Sequence, residues 1–305
     1  MARLDLRRSF FGGPGFTMFH AWGSNASVPM DPHFHDEYVI SVQIVGDEQI
    51  TVSGKTEHLS AGDSALLNPY QVHTGNDRGT PNLEYISLYV DRQVVQRVAA
   101  EIDPGVEAPE FTVTKIRDQQ VVAAGLFEIL DLVRQQAATA RVAPVPTELA
   151  VGDKPSDETS YDLSIECALH RVVHHTFEHY SNLRHPMWRS TNRIAHRRIA
   201  RAVDFIRTLD RDENTRETNL DELAKIAGLS KYHFLRQFSQ VVGMTPGAYL
   251  RTLRVCRAAE KLRAHTMPIV DIAMSVGFAD HPSFSRAFAR QMGMTPSEYQ
   301  RAAAN

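Results

Sequence analysis

Six side chains suited to nucleic-acid contact recur at matching places in the last third of the chain. Tyr232, Arg236 and Ser239 stand at i, i+4 and i+7 within KYHFLRQFSQVVGMTPGAY, which runs from Lys231 to Tyr249. Ser283, Arg286 and Arg290 share the corresponding face of PSFSRAFARQMGMTPSEY, from Pro282 to Tyr299. On a helix that spacing gathers each set on one side. Arginine reads guanine through two parallel hydrogen bonds, and hydroxyls reach base edges or phosphates, so each set has the chemistry of a helix lying in a major groove. The competing role for Arg236 and Arg286 is a structural salt bridge. The segment HRVVHHTFEH offers His170 with His174 and His175 with His179, four apart and able to share a divalent ion on a helical face. No cysteine or carboxylate cluster of matching geometry accompanies them, so an ordinary polar face or helix contact is expected. Cys167 and Cys256 are far apart and lack a CxxC or a ligand-spaced histidine, which argues against a disulfide framework or a zinc knuckle.

Both reading faces need a scaffold, and the repeat supplies one. Aligning the copies pairs Gly228 with Gly277, Phe234 with Phe284, Phe238 with Phe288, Gly243 with Gly293, and Tyr249 with Tyr299. Upstream of each lies a short helical pattern, LDELAKIAG from Leu220 and IVDIAMSVG from Ile269, with Ala224 and Ala273 at matching positions. Each unit therefore reads as helix, glycine-containing turn, helix, at about 220–242 and 269–292, with the small alanine letting the two helices cross closely. Phe234, Phe238 and Val241, and Phe284 with Phe288, are the expected core faces. The Thr-Pro pair after each unit starts a new helix, Thr as cap and Pro at the first position. After Pro246 that helix can run to about His265, before Pro268. Some twenty residues span about 30 Å at 1.5 Å per residue, close to the roughly 34 Å between successive major-groove faces.

The charge distribution has the same polarity. Residues 1–192 hold 15 Lys+Arg against 25 Asp+Glu, whereas residues 193–305, opening with RIAHRR, hold 18 against 11. A basic C-terminal third on an acidic remainder suits a polyanion-binding module joined to something else. A 305-residue chain with 43% hydrophobic and 23% charged residues has material for two cores. No apolar run reaches 18 residues and the N-terminus lacks a signal-like apolar stretch, so a cytoplasmic protein is expected.

Upstream, EYVISVQIV, EQITVSG, DSALLNP and LEYISLYV between about 28 and 91 read as short strands of a small antiparallel sandwich or barrel. Residues 119–140 then carry Val122, Leu126, Ile129, Leu130 and Val133 at helical spacing, an amphipathic helix that packs on the strands or on the same helix of a second subunit. Residues 141–160 read as a linker, and a second helix is expected from Tyr161 to about Tyr180. RRSFFGGPGF near the N-terminus reads as a lid over a pocket or a frayed end.

Over about 193–305, including GFADHPSFSRAFARQMGMTPSEYQR, the chain resembles the AraC-type transcription factors, whose DNA-binding part carries two helix-turn-helix units joined by a long helix. The resemblance implies that Lys231, Tyr232, Leu235 and Arg236 face the groove in the first unit, and His281, Pro282, Ser283 and Arg286 in the second. Leu235 is apolar where polar side chains are common there, so it reads a thymine methyl or no base at all. PHFHDEYVI and SAGDSALLNPYQVH are similar to the signature stretches of a cupin barrel, which senses the effector in these regulators. In metal-binding cupins His33, His35 and His73 would be ligands together with a glutamate. Here the usual place of that glutamate reads Val39-Ile40, and Glu37 comes earlier, on the same alternating side as His33 and His35.

The fold class expected is α+β: a cupin-like antiparallel β-barrel plus helices over 1–118, a helical dimerisation and linker region over 119–192, and an all-α double helix-turn-helix over 193–305. The function expected is sequence-specific transcription regulation controlled by a small-molecule effector. The alternatives are a metal-dependent cupin enzyme fused to a DNA reader, with Fe(II) or another metal on the three histidines, and a barrel serving only for dimerisation. Trp22, His33, His35, Tyr38 and His73 are the expected effector contacts. No cofactor, resident metal or catalytic residue is assigned. Double-stranded DNA, the effector, RNA polymerase and a second copy of the chain are the expected partners.

Overall fold

Alternation along the strands decides which side of the N-terminal sheet faces helices and which faces a second sheet. The computed structural model describes residues 6–24, 32–77, 82–142, 163–183, 193–209, 219–265 and 267–303. Strands β1 (Leu6–Gly13), β2 (Phe16–Ser24), β3 (Tyr38–Val45), β6 (Ser64–Leu67), β8 (Asn82–Val90) and β9 (Lys115–Ile116) form a sheet in the order β1-β2-β8-β3-β6-β9. Strands β4 (Glu48–Val52), β5 (Lys55–Leu59) and β7 (His73–Asp77) form the other, in the order β5-β4-β7. Every pairing among these strands is antiparallel. Met18, Ile40, Val42, Ile86 and Leu88 project to one side of the larger sheet, where α1 (Arg92–Ile102), α2 (Ala124–Val142) and α3 (Leu163–Tyr180) cover them. Val39, Ala65 and Leu67 project to the other side and meet Ile50, Val52 and Leu59 of the smaller sheet. The N-terminal stretch is not a frayed end: β1 pairs with β2 along its whole length.

A π-helical turn, Gln119–Ala123, leads into α2. Asp118 caps it, accepting from the backbone N–H groups of Val121 and Val122 at 3.0 and 3.4 Å, from the His175 ring at 2.6 Å and from the Tyr180 hydroxyl at 3.0 Å. Burial alone would raise the carboxyl pKa; these donors outweigh it and lower it to about 2. A depressed carboxylate stabilises above its unfolded pKa near 4, and that contribution fades as pH falls toward 2. Asp118→Asn is therefore expected to cost about 2 kcal/mol at neutral pH and much less at pH 2. Denaturant melts at the two pH values check this, and an equal cost at both would refute it.

The C-terminal region is wholly helical in its described residues: α4 (Arg193–Leu209), α5 (Leu220–Ala227), α6 (Lys231–Val242), α7 (Pro246–Arg263), α8 (Ile269–Ser275), α9 (His281–Met292) and α10 (Pro296–Ala303). Caps place the breaks. Asn219, Ser230, Thr245 and Asp280 each accept from a backbone N–H three residues on, at the starts of α5, α6, α7 and α9. Gly228 and Gly277 hold φ of 64° and 87° in the turns between paired helices, where a side chain would be strained. Most of the linker read from sequence, and the loop before α4, lie outside the described residues.

Candidate functional site

The two second helices of the repeat are built alike. Phe234 and Phe238 of α6, and Phe284 and Phe288 of α9, are fully buried. Their opposite faces are open: Lys231, Tyr232 and Arg236 are exposed on α6, as are Pro282, Arg286 and Arg290 on α9. Leu235, Ser239, His281 and Ser283 are half-buried at the flanks of those faces. Tyr232, a large aromatic, is 70% exposed, which no packing argument explains and a base or sugar contact would. The salt-bridge alternative for the arginines finds no partner: neither Arg236 nor Arg286 pairs with a carboxylate among the described residues, although Lys231 pairs with Asp221 at 2.8 Å. Arg286 instead donates to the Ser283 hydroxyl at 3.2 Å, and Ser283 donates to Asp280 at 3.0 Å. That chain fixes the arginine head beside the N-terminus of α9.

Helix α7 joins the two units as a shared wall. Its 18 residues span about 27 Å. Tyr249, Leu253 and Cys256 enter the core of the first unit, with α4, α5 and α6, while Val255, Ala258, Ala259 and Leu262 enter the core of the second, with α8, α9 and α10. Between the units opens a groove of about 620 Å³, bordered by Thr245 and Arg251 of the α7 side and by Ser283, Arg286 and Arg290 of α9. Three arginines converge on it, an arrangement suited to a phosphate backbone. Arg251 was not among the residues singled out from sequence; its signal is only that it is a basic residue on a helix surface.

The β-domain touches both units. Phe34 is fully buried, not in its own domain but in the core of the first unit, with its ring 4.6 Å from Tyr249 and its carbonyl 3.4 Å from the Cys256 sulfur. Val72 joins it. Tyr70, at φ 61°, presents its ring to Arg207 of α4 at 3.7 Å and accepts from Arg92 of α1 at 3.2 Å. On the second unit, Phe10 of β1 packs on Tyr299 at 5.2 Å and Arg8 donates to the Gly293 carbonyl. Glu37 accepts from both terminal nitrogens of Arg263 at 3.4 Å, and Arg263 also donates to the hydroxyls of Thr17 and Tyr299. Burial, then Glu37, raises the Asp36 carboxyl to about 6, and burial, then Asp36, raises that of Glu260 to about 7.

The five expected effector contacts separate into two groups by strand parity. His33, His35 and His73 come together, with one donor nitrogen from each lying within 4.8 Å of the others. His33 and His73 are buried and His35 is half-buried. Burial lowers the pKa of His35 and His73, followed in each case by the neighbouring imidazoles, and brings His73 to about 3; both rings are neutral at physiological pH. Tyr38 and Trp22 lie on the other side of the sheet. Tyr38 donates to the Pro109 carbonyl at 2.6 Å and meets Phe111 and Phe177 edge-on in the helix-covered core. Trp22 stacks on His20, which bonds Glu84 and Arg134. The physical reason is the two-residue period: Tyr38 alternates with Glu37, and Trp22 is in phase with Met18 of the outer face.

The histidine trio fits a transition-metal ion in donor chemistry. The His73 Nδ1–H donates to the Gln71 carbonyl at 2.9 Å, which leaves Nε2 as the lone-pair donor. Glu37, the carboxylate that alternation places on their side, is engaged by Arg263. The donors are therefore three imidazoles. The paired histidines of α3 share helical faces, His175 stacking on His179 at 4.3 Å and His170 lying 5.8 Å from His174 between centroids, while His170, His174 and His175 each face a carboxylate, Glu101 at 2.9 Å, Glu178 at 3.6 Å and Asp118 at 2.6 Å.

Between the inner face of the larger sheet and the second unit lies a cavity of about 320 Å³. Phe19, Tyr85 and Tyr89 line it from the sheet, Met292 and Met294 from the second unit, and Arg8 and Arg263 supply cations. It is mostly apolar. The Nε of Arg8 is buried with no hydrogen-bond partner among the described residues.

Residues 17–148 match the family model described as an AraC-like ligand binding domain, and residues 223–302 match a helix-turn-helix domain. The regulatory protein SoxS of Escherichia coli K12 is 38% identical over 107 residues, 35% of this chain and 97% of that protein. The HTH-type transcriptional activator AarP of Providencia stuartii is 36% identical over 86 residues, 28% of this chain and 64% of that protein. Apo ToxT from Vibrio cholerae superposes with a TM-score of 0.58 at 13% identity, covering 96% of this chain and 99% of that one, and so shares the fold. With a ligand-binding domain at one end and two helix-turn-helix units at the other, the chain belongs to the AraC family of DNA-binding transcription regulators.

Proposed function

We propose that an amphipathic organic anion, held in the cavity between the β-domain and the second helix-turn-helix unit, sets how the two units meet DNA. The buried, unpartnered Nε of Arg8 carries this reading. Arg8 lines the mostly apolar cavity, and a guanidinium with an unpaired buried nitrogen is costly there unless an anionic group lies beside it. The remaining lining, aromatic and methionine-rich, takes an apolar body. A ligand there touches both domains at once, so its affinity differs between docked and separated arrangements, which is what coupling requires. ToxT, which shares this fold, has been solved with an unsaturated fatty acid bound. Of the five expected effector contacts, His35 lines the cavity and Trp22, His33, Tyr38 and His73 do not.

DNA is read by Lys231, Tyr232, Leu235, Arg236 and Ser239 of α6 and by His281, Pro282, Ser283, Arg286 and Arg290 of α9. The chain works in the cytoplasm as a homodimeric activator that engages RNA polymerase. Exposed Phe127 and Leu163 on α2 and α3 support a homodimer through those helices, and sedimentation showing only monomer at micromolar concentration would remove that part. No described helix is long and apolar enough to cross a membrane.

The test is footprinting of the purified protein on DNA upstream of its own gene, with and without oleate and aryl carboxylates, beside calorimetry of the same ligands. Arg8→Gln is expected to weaken oleate at least about tenfold, since a hydrogen bond to a charged group contributes about 1.5–3 kcal/mol. Unchanged affinity, or a footprint indifferent to every acid tried, would overturn the anion reading.

A further inference from the structure

The last turn of α9 is a partition with a space on each side. Arg290 and Gln291 border the groove between the two units, and the same two residues border the cavity between the β-domain and the second unit. Among the described residues no other borders both. Their neighbours divide: Ser283, Arg286 and Ala287 line only the groove, whereas Ala289, Met292 and Gly293 line only the cavity. Gln291 is tied down, its Nε2 donating to the Cys256 sulfur of α7 at 3.5 Å. Arg290 is exposed, and its charge rides on a stem with several rotatable bonds. Phe284 and Phe288 anchor the helix from its buried face, so the guanidinium can change sides while α9 stays in place.

The cavity side of this turn already holds one cation. Arg8 donates to the Gly293 carbonyl, and a Cβ on Gly293 would collide with its terminal nitrogens. The Arg8 head therefore lies against the C-cap of α9, one helical turn beyond Arg290. A helix C-terminus carries partial negative charge and repels an anion. An anion seated there by Arg8 gains from a further cation beside it. Arg263 also lines the cavity, but Glu37 already engages it at 3.4 Å. Arg290, in the turn that Arg8 touches, is the cation left to recruit. On the groove side the phosphates of DNA attract the same charge. One guanidinium cannot neutralise both.

Building on the anion cavity proposed above, we propose that Arg290 is a shared cation for which an organic anion in the cavity and a DNA phosphate in the groove compete, so that the anion weakens DNA at the second half-site. The sign follows from the partition: charge drawn to one side leaves the other. Arg286 lines the groove alone and keeps its contact, and α6 of the first unit borders neither side of this turn. The anion thus removes one contact from the second unit and none from the first. By linkage, DNA weakens the anion by the same factor.

Full-length protein is titrated with the duplex it selects from random sequence, with and without saturating oleate, at several salt concentrations. Oleate is expected to weaken DNA about tenfold in wild type, within the ordinary range of coupling between sites. It should also flatten the salt slope by about one, as the loss of one phosphate contact requires. In Arg290→Gln both effects should vanish, and calorimetry should show weaker oleate. In Arg286→Gln, where DNA itself binds less tightly, both effects should persist. Oleamide, of similar shape and without charge, should leave the DNA affinity of wild type unaltered. Coupling that survives in Arg290→Gln, oleate affinity unchanged in that variant, oleate bound to wild type with no effect on DNA, or an equal effect of oleamide would each overturn the shared cation. None of the first three touches the anion cavity itself. Wild type that binds neither oleate nor aryl carboxylates overturns the cavity reading, and the shared cation falls with it.

Discussion

Phe288→Ala is expected to unfold the second helix-turn-helix unit and leave the first one standing. Truncating a buried phenylalanine costs about 3–5 kcal/mol through lost transfer energy and the cavity left behind. The ring is fully buried and touches Phe284 at 5.5 Å and Tyr299 at 5.3 Å between centroids. Whole domains are stable by only about 5–15 kcal/mol, so a unit of three short helices on one wall cannot absorb that loss. The damage should stay local because the two cores draw on different residues of α7, and the first unit also has α4 and the inserted Phe34. Phe238→Ala, whose ring meets Phe234 at 5.5 Å and Tyr249 at 5.7 Å, should do the converse. Hydrogen exchange resolved by helix checks both, with footprints that each lose one half. Uniform loss of protection through α5–α10 from either change would show that the repeat is a single cooperative body.

This separation was legible in sequence because the phrase is written twice, with aromatic residues, caps and turn glycines in register. Repetition gives two independent readings of the same local physics. The first two strands and α1 carried weaker signals. Val95, Val98, Ala99 and Ile102 do show helical spacing, but over only three turns, and FFGGPGF interrupts its own alternation. Strand parity could have divided the effector candidates, since Tyr38 and Glu37 cannot share a side of one strand. It would also have sent Phe34 away from His33 and His35. What no local pattern contains is where Phe34 goes, or that Arg263 reaches Glu37 beside the cavity: those contacts join residues more than two hundred positions apart, and only the docking of the two regions creates them.

Affinity for DNA is expected to fall by about 10³–10⁵ between 50 and 200 mM salt if 6–10 phosphates are neutralised. The count is reasonable for this surface. Arg251, Arg286 and Arg290 border the groove between the units, Lys231 and Arg236 are exposed on α6, and the region as a whole is basic. Salt alone does not separate grip from reading, so the arginines must be compared with one another. Arg286, steadied by Ser283 and Asp280 at the start of α9, is placed as a base reader. Its change to Ala should relax the preference at one position of the second half-site by about 1–3 kcal/mol. Arg251, on the connecting helix rather than on α6 or α9, borders the same groove and is placed as a phosphate contact. Arg251→Ala should weaken all sequences alike and reduce the salt slope by about one. Binding-site selection at two salt concentrations distinguishes them: an unaltered base preference in Arg286→Ala rejects its reading role, and a flat salt response in the wild type removes the phosphate groove altogether.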